Sequence, residues 1–121
     1  MVRVSKVLLL LKEMIYESTS PLEVIRFAKY YKKKDLDVTI ILWGPMGILL
    51  GKKHQTGRMR YEEEVKECLS MGIKFLACEL AANLVGMDES ELYDGIELVP
   101  SFEVADLILE FQEEGQLIIS L

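Results

Sequence analysis

The chain is poor in the residues that build metal sites and covalent staples. Its 121 residues include two cysteines and one histidine, too few for a zinc ligand set. Only Cys68 and Cys78 could form a disulfide. The sequence shows no secretory signal, so a reducing cytoplasm is expected, where a structural disulfide is disfavoured. The longest apolar runs, such as Val7 to Leu11, have the length of a strand and not of a membrane span. Basic charge is also in short supply. The net charge of −6 argues against nonspecific nucleic-acid binding by the whole surface. No low-complexity tract and no linker interrupt the sequence, and half of it is hydrophobic, which excludes disorder for most of its length. A single domain over residues 1–121 is expected, large enough for a packed core of its own.

What is present alternates between strand and helix patterns. The first strand is expected over Arg3 to Leu11, its unbroken apolar run indicating burial on both faces. Ser20, Pro21 and Glu23 read as a capping box that opens a helix running to about Lys33. Strand two follows over Val38 to Trp43, and Gly44-Pro45-Met46-Gly47 turns the chain into a short apolar helix, Ile48 to Leu50. After a polar loop, a helix is expected from Tyr61 to about Ser70, then a strand from Ile73 to Ala77 and a helix from Glu79 to Val85 ended by Gly86. Asp88 to Glu91 reads as a second capping box. Strand four is Ile96 to Val99, a helix spans Phe102 to Glu113, and the last strand is Leu117 to Ser120. Strands separated by helices imply right-handed crossovers and a parallel sheet covered on both sides, a three-layer α/β/α sandwich with five strands.

Cys78 stands out as a candidate site residue. It lies where a buried strand meets a helix start, the place where α/β proteins put their chemistry. The helix N-terminus favours a thiolate there, and Glu79 opposes it by like charge. A small core residue is the other reading of the same position. Cys68 instead shares a helical stripe with Tyr61, Val65 and Leu69 and reads as packed in the core.

Three other features bear on function. Gly44-Pro45-Met46-Gly47 could cradle an anion, yet it lacks both P-loop and dinucleotide spacing and reads better as a tight turn. Ser18-Thr19-Ser20 offers weak grounds for a flavin phosphate loop, since capping already accounts for Ser20. The segment Lys52 to Arg60 holds four basic residues and His54, either a solvated loop or a positively charged flap over the thiol. Finally, the apolar residues of the helix Phe102 to Glu113 sweep roughly 220° at the helical repeat, about twice the stripe a sheet requires. The surplus predicts a second buried contact, most simply another copy of the chain.

With this order of elements the chain resembles the DsrE/DsrF-like family, which includes subunits of sulfur-relay complexes. The resemblance covers nearly the whole sequence. It is carried by Gly72-Ile73-Lys74-Phe75-Leu76-Ala77-Cys78, by Gly86, by Glu91-Leu92-Tyr93-Asp94-Gly95-Ile96, and by Trp43-Gly44-Pro45-Met46-Gly47-Ile48-Leu49-Leu50. It implies a strand order of 4-3-2-1-5 and assembly into oligomers, often trimers or hexamers. It also implies that the cysteine matching Cys78 carries sulfur as a persulfide in active members. The function expected is a cytoplasmic, sulfurtransferase-type relay subunit that takes sulfane sulfur on Cys78 from a donor protein and passes it to an acceptor thiol. It needs no cofactor, metal, nucleic acid or membrane. The alternative from another class is a non-catalytic oligomeric scaffold or binding module in which Cys78 is merely packed.

Overall fold

A computed structural model describes residues 3–13, 15, 18–54 and 61–121. Five strands, β1 (Lys6–Leu11), β2 (Asp37–Leu42), β3 (Lys74–Cys78), β4 (Ile96–Val99) and β5 (Leu117–Ser120), form one parallel sheet in the order β4-β3-β2-β1-β5. The expected fold class and strand order both hold. Alternation along the strands divides the apolar side chains between two cores. Val7, Leu9, Leu11, Ile40, Leu42, Phe75 and Ala77 enter the larger one, while Leu8, Ile41, Leu76 and Val99 enter the smaller. The unbroken run Val7 to Leu11 is therefore explained: β1 sits between β2 and β5 with apolar neighbours above and below.

Helices α1 (Ser20–Lys33), α3 (Glu62–Ser70) and α4 (Glu79–Val85) supply Val24, Ile25, Ala28, Val65, Cys68, Ala81 and Ala82 to the larger core. The other face is covered by α5 (Ser101–Glu113), through Val104 and Phe111, with Leu107 and Ile108 half-buried beside them. One helix cannot cover five strands. Leu10 and Ile118 stay only partly buried, and on α5 itself Phe102 and Leu109 are exposed. The wide apolar arc of this helix is thus real, and its surplus side faces away from the sheet.

Local details depart from the sequence expectations in instructive ways. The capping box at Ser20 does not form. Thr19 occupies the cap position without a side-chain bond, and the Ser20 backbone N–H donates to Ser18 Oγ at 3.1 Å. The Glu23 carboxylate instead accepts from Arg26 at 3.5 Å. At Asp88 no side-chain cap forms either, and Ser90 donates its hydroxyl to the Asp88 carboxylate at 2.6 Å in a 3₁₀ turn, Glu89–Glu91. The first strand begins at Lys6, because the Ser5 and Lys6 backbone N–H groups donate to the Gln116 side-chain oxygen at 2.8 and 3.0 Å. Gly44–Gly47 is itself a helical turn, α2, continued by a 3₁₀ turn over Ile48–Gly51.

Candidate functional site

Cys78 is the last residue of β3 and the residue from which α4 begins, with φ −71° and ψ 120°. Its neighbour across the sheet is Val99, the last residue of β4. At this point the two adjacent chains part. From Cys78 the chain turns to α4, which packs with the larger core, and from Val99 it turns to α5, which packs with the smaller. Adjacent parallel strands whose connections leave to opposite faces open a crevice beyond their carboxyl ends. Cys78 stands at that switch point.

The crevice is a cleft of about 160 Å³. Trp43, Gly44 and Pro45 line it from the end of β2 and the start of α2, Leu80, Ala81 and Leu84 from α4, and Ser101 from the first residue of α5, with Cys78 between them. Among the described residues no basic side chain lines it. Gly44 has φ +77°, a conformation that favours glycine, so this glycine shapes the wall where a cradle for anions was one reading. The Cys78 residue as a whole is 4% exposed, while Leu80 and Leu84 beside it are 57% and 69% exposed. An apolar rim thus opens to solvent around a recessed sulfur.

Cys68 lies within α3 with no exposure. Burial pushes its thiol up from its ordinary 9.0 to about 11, with Lys29 pulling weakly the other way. This is the packed residue the helical stripe implied. The two cysteines are free, and among the described residues no group of histidine, cysteine and carboxylate side chains could hold a metal ion.

The basic segment divides. Residues 55–60, which include Arg58 and Arg60, lie outside the described residues. Its start is pinned away from the thiol: Lys52 bridges to Leu92, the Lys53 N–H donates to the Glu91 carbonyl at 2.7 Å, and the Tyr93 N–H donates to the Gly51 carbonyl at 2.9 Å. Lys53 and His54 line a separate cleft of about 450 Å³ with Glu62, Lys66, Tyr93 and Asp94. Its charges pair internally, Lys53 with Asp94 at 3.6 Å and Lys66 with Glu62 at 3.0 Å.

Sequence reasoning located Cys78 but not the walls around it. Trp43, Leu84 and Ser101 reach the cleft only through strand order and register, for which no local pattern exists. The one readable signal was the shared position of Trp43, Cys78 and Ser101 just at or after strand ends.

A parallel five-stranded α/β sheet with a thiol at its switch point defines the structural class. Residues 5–121 match the model of the DsrE/DsrF-like family, and the protein belongs to that family. Solved structures share the fold. One is a protein of unknown function from Methanobacterium thermoautotrophicum, with a TM-score of 0.77 and 22% identity over 96% of this chain and 98% of that chain. The ychN protein from E. coli has a TM-score of 0.83 and 16% identity over 98% and 100%. A conserved protein of unknown function from Bacteroides thetaiotaomicron has a TM-score of 0.71 and 22% identity over 97% and 95%. At these identities the likeness speaks for the fold. Comparison with curated protein sequences finds no match. No helix among the described residues is long and apolar enough to cross a membrane.

Proposed function

We propose that this protein is a sulfur-relay subunit that carries sulfane sulfur as a persulfide on Cys78. The observation that carries the reading is the position of Cys78 at the switch point of the sheet, lining a cleft with exposed apolar side chains at its edge. Membership of the DsrE/DsrF-like family supports it. The Cys78 thiolate attacks the outer sulfur of a donor persulfide. The donor S–S bond breaks, its electron pair stays on the donor's inner sulfur as a thiolate, and a new S–S bond forms on Cys78. Attack by an acceptor thiolate on the outer sulfur of Cys78 reverses these steps, so no oxidant or reductant enters. The outer side of α5, where Leu109 is exposed, pairs with further copies of the chain in this reading.

A second reading follows from the same cysteine's 4% exposure. Cys78 would then be a packing residue in a scaffold of this fold. Intact mass after incubation with a sulfane-sulfur donor separates the two. The relay reading expects one added sulfur that persists in Cys68→Ser and vanishes in Cys78→Ser. Loading that survives the Cys78 change, or that never occurs in folded protein, would leave the scaffold.

A further inference from the structure

The charge of this chain is divided along its length. Lys74 is its last basic residue, and residues 75–121 carry eleven carboxylates with no lysine, arginine or histidine. The fold brings part of this acidic half to the Cys78 cleft. Glu79 opens α4 directly after Cys78, and Glu103 lies in the first turn of α5 two residues beyond Ser101. Both are exposed, and among the described residues no ion pair involves them.

The cleft within this acidic surround is apolar and small. Its volume of about 160 Å³ equals that of about five water molecules in the liquid, below the several hundred Å³ of a cofactor or drug-sized pocket. It admits the tip of a side chain. Leu80, Leu84 and Met46 stand exposed nearby, on α4 and on α2, which pack together.

From this charge complementarity we infer that the surface around Cys78 docks a basic polypeptide segment of a second protein. That segment presents a cysteine, as thiol or persulfide, next to an apolar side chain and between lysines or arginines. The inference rests on the reading of Cys78 as a sulfur carrier and names the class of its partner. Small anionic sulfur compounds approach past the carboxylates of Glu79 and Glu103 and, among the described residues, find no cation in the cleft wall. A second copy docking the same patch across a two-fold axis sets the face that carries Glu79 and Glu103 against an identical acidic face, which like-charge repulsion disfavours.

Trp43 is the chain's single tryptophan and lines the cleft, so its emission reports occupancy directly. The Cys78→Ser protein is titrated with a blocked lysine-rich peptide containing leucine and a serine in place of cysteine, and with neutral and glutamate-rich peptides of equal length. The lysine-rich peptide is expected to shift Trp43 emission with a Kd at least about tenfold below that of the glutamate-rich one. Added salt narrows that gap, and Glu79→Lys with Glu103→Lys reverses the preference. Equal responses to all three peptides would overturn the proposal. So would an emission change that follows protein concentration alone and is lost on the same charge reversal, which assigns the face to a second copy. Because the titrated protein lacks the thiol, this result is independent of sulfur loading. Charge-selective docking without loading of the wild type removes the relay and keeps the docking surface; loading without charge selectivity does the opposite.

Discussion

Gly47 packs against the backbone of Leu11 so closely that a Cβ there would overlap the Leu11 carbonyl oxygen and stand 3.1 Å from its carbon. The same carbonyl accepts the Trp43 N–H at 2.8 Å. The wall of the Cys78 cleft is thereby fastened to the end of β1 through backbone alone. Gly47→Ala must push this backbone apart, and a loss of about 2 kcal/mol is expected. Gly44 has open space around its α-carbon but φ +77°, so Gly44→Ala should cost about 1 kcal/mol from conformation only. Urea unfolding of the two variants tests the ranking, and a Gly47→Ala protein as stable as the wild type would refute the contact.

The buried thiol of Cys68 ties stability to alkaline pH. Burial favours the neutral form and raises the pKa from its ordinary 9.0 to about 11 in the folded protein. The contribution is therefore complete below about pH 9 and drains as pH rises towards the folded value, by roughly 2–3 kcal/mol in total. Cys68→Ala removes this dependence. Unfolding free energies of the two proteins, measured across the alkaline range, should converge as pH increases; parallel profiles would show that Cys68 does not titrate on unfolding. In the native state at neutral pH, alkylation should modify Cys78 well before Cys68.

Leu107 and Leu109 are close in sequence and opposite in fate. Leu107 is half-buried against the smaller core, whereas Leu109 is exposed. Leu107→Asp should destabilise the fold by placing a charge against apolar neighbours, on the order of 2–4 kcal/mol. Leu109→Asp should leave the unfolding free energy within about 0.5 kcal/mol of the wild type and, under the self-association proposal, yield a monomer where the wild type is larger. Light scattering that finds wild-type monomers at micromolar concentration would end the self-association proposal.

Lys29 joins α1 to α3, reaching Glu64 at 2.6 Å and Glu67 at 3.0 Å. Burial works against its charge, but hydrogen bonds to these carboxylates outweigh it and hold the ammonium above its ordinary 10.5. Lys29→Met should cost about 1 kcal/mol at low salt, and less as salt screens the pairs. A cost that does not change with ionic strength would mean that the stem's packing, and not its charge, stabilises the helix pair.

Most strands and helices were legible to within a residue or two because their signals are local. Val7 to Leu11 reads as a strand with both faces buried, and Gly86, at φ +69°, ends α4 as glycine does at helix termini. The caps were misread where a neighbour intervened: Ser18 takes the N–H that would have belonged to a Ser20 cap, and Ser90 turns to Asp88. A flap over the thiol was one of two readings of the basic segment; Lys53 and His54 lie at the other cleft, held by the backbone pairing of residues 51–53 with 91–93, and residues 55–60 lie outside the described residues.

The sequence by itself determined the alternation of strands and helices, the junction position of Cys78, the core position of Cys68 and the surplus apolar arc of α5. All are periodicities and boundaries read over a few residues. Only the tertiary structure decided that Trp43, Leu84 and Ser101 meet at Cys78, and that among the described helices α5 covers its face alone. Those facts depend on the pairing of Cys78 with Val99 and on two crossovers that leave the sheet in opposite directions. Such pairings join residues distant in sequence through backbone hydrogen bonds, which carry no side-chain pattern to read in advance.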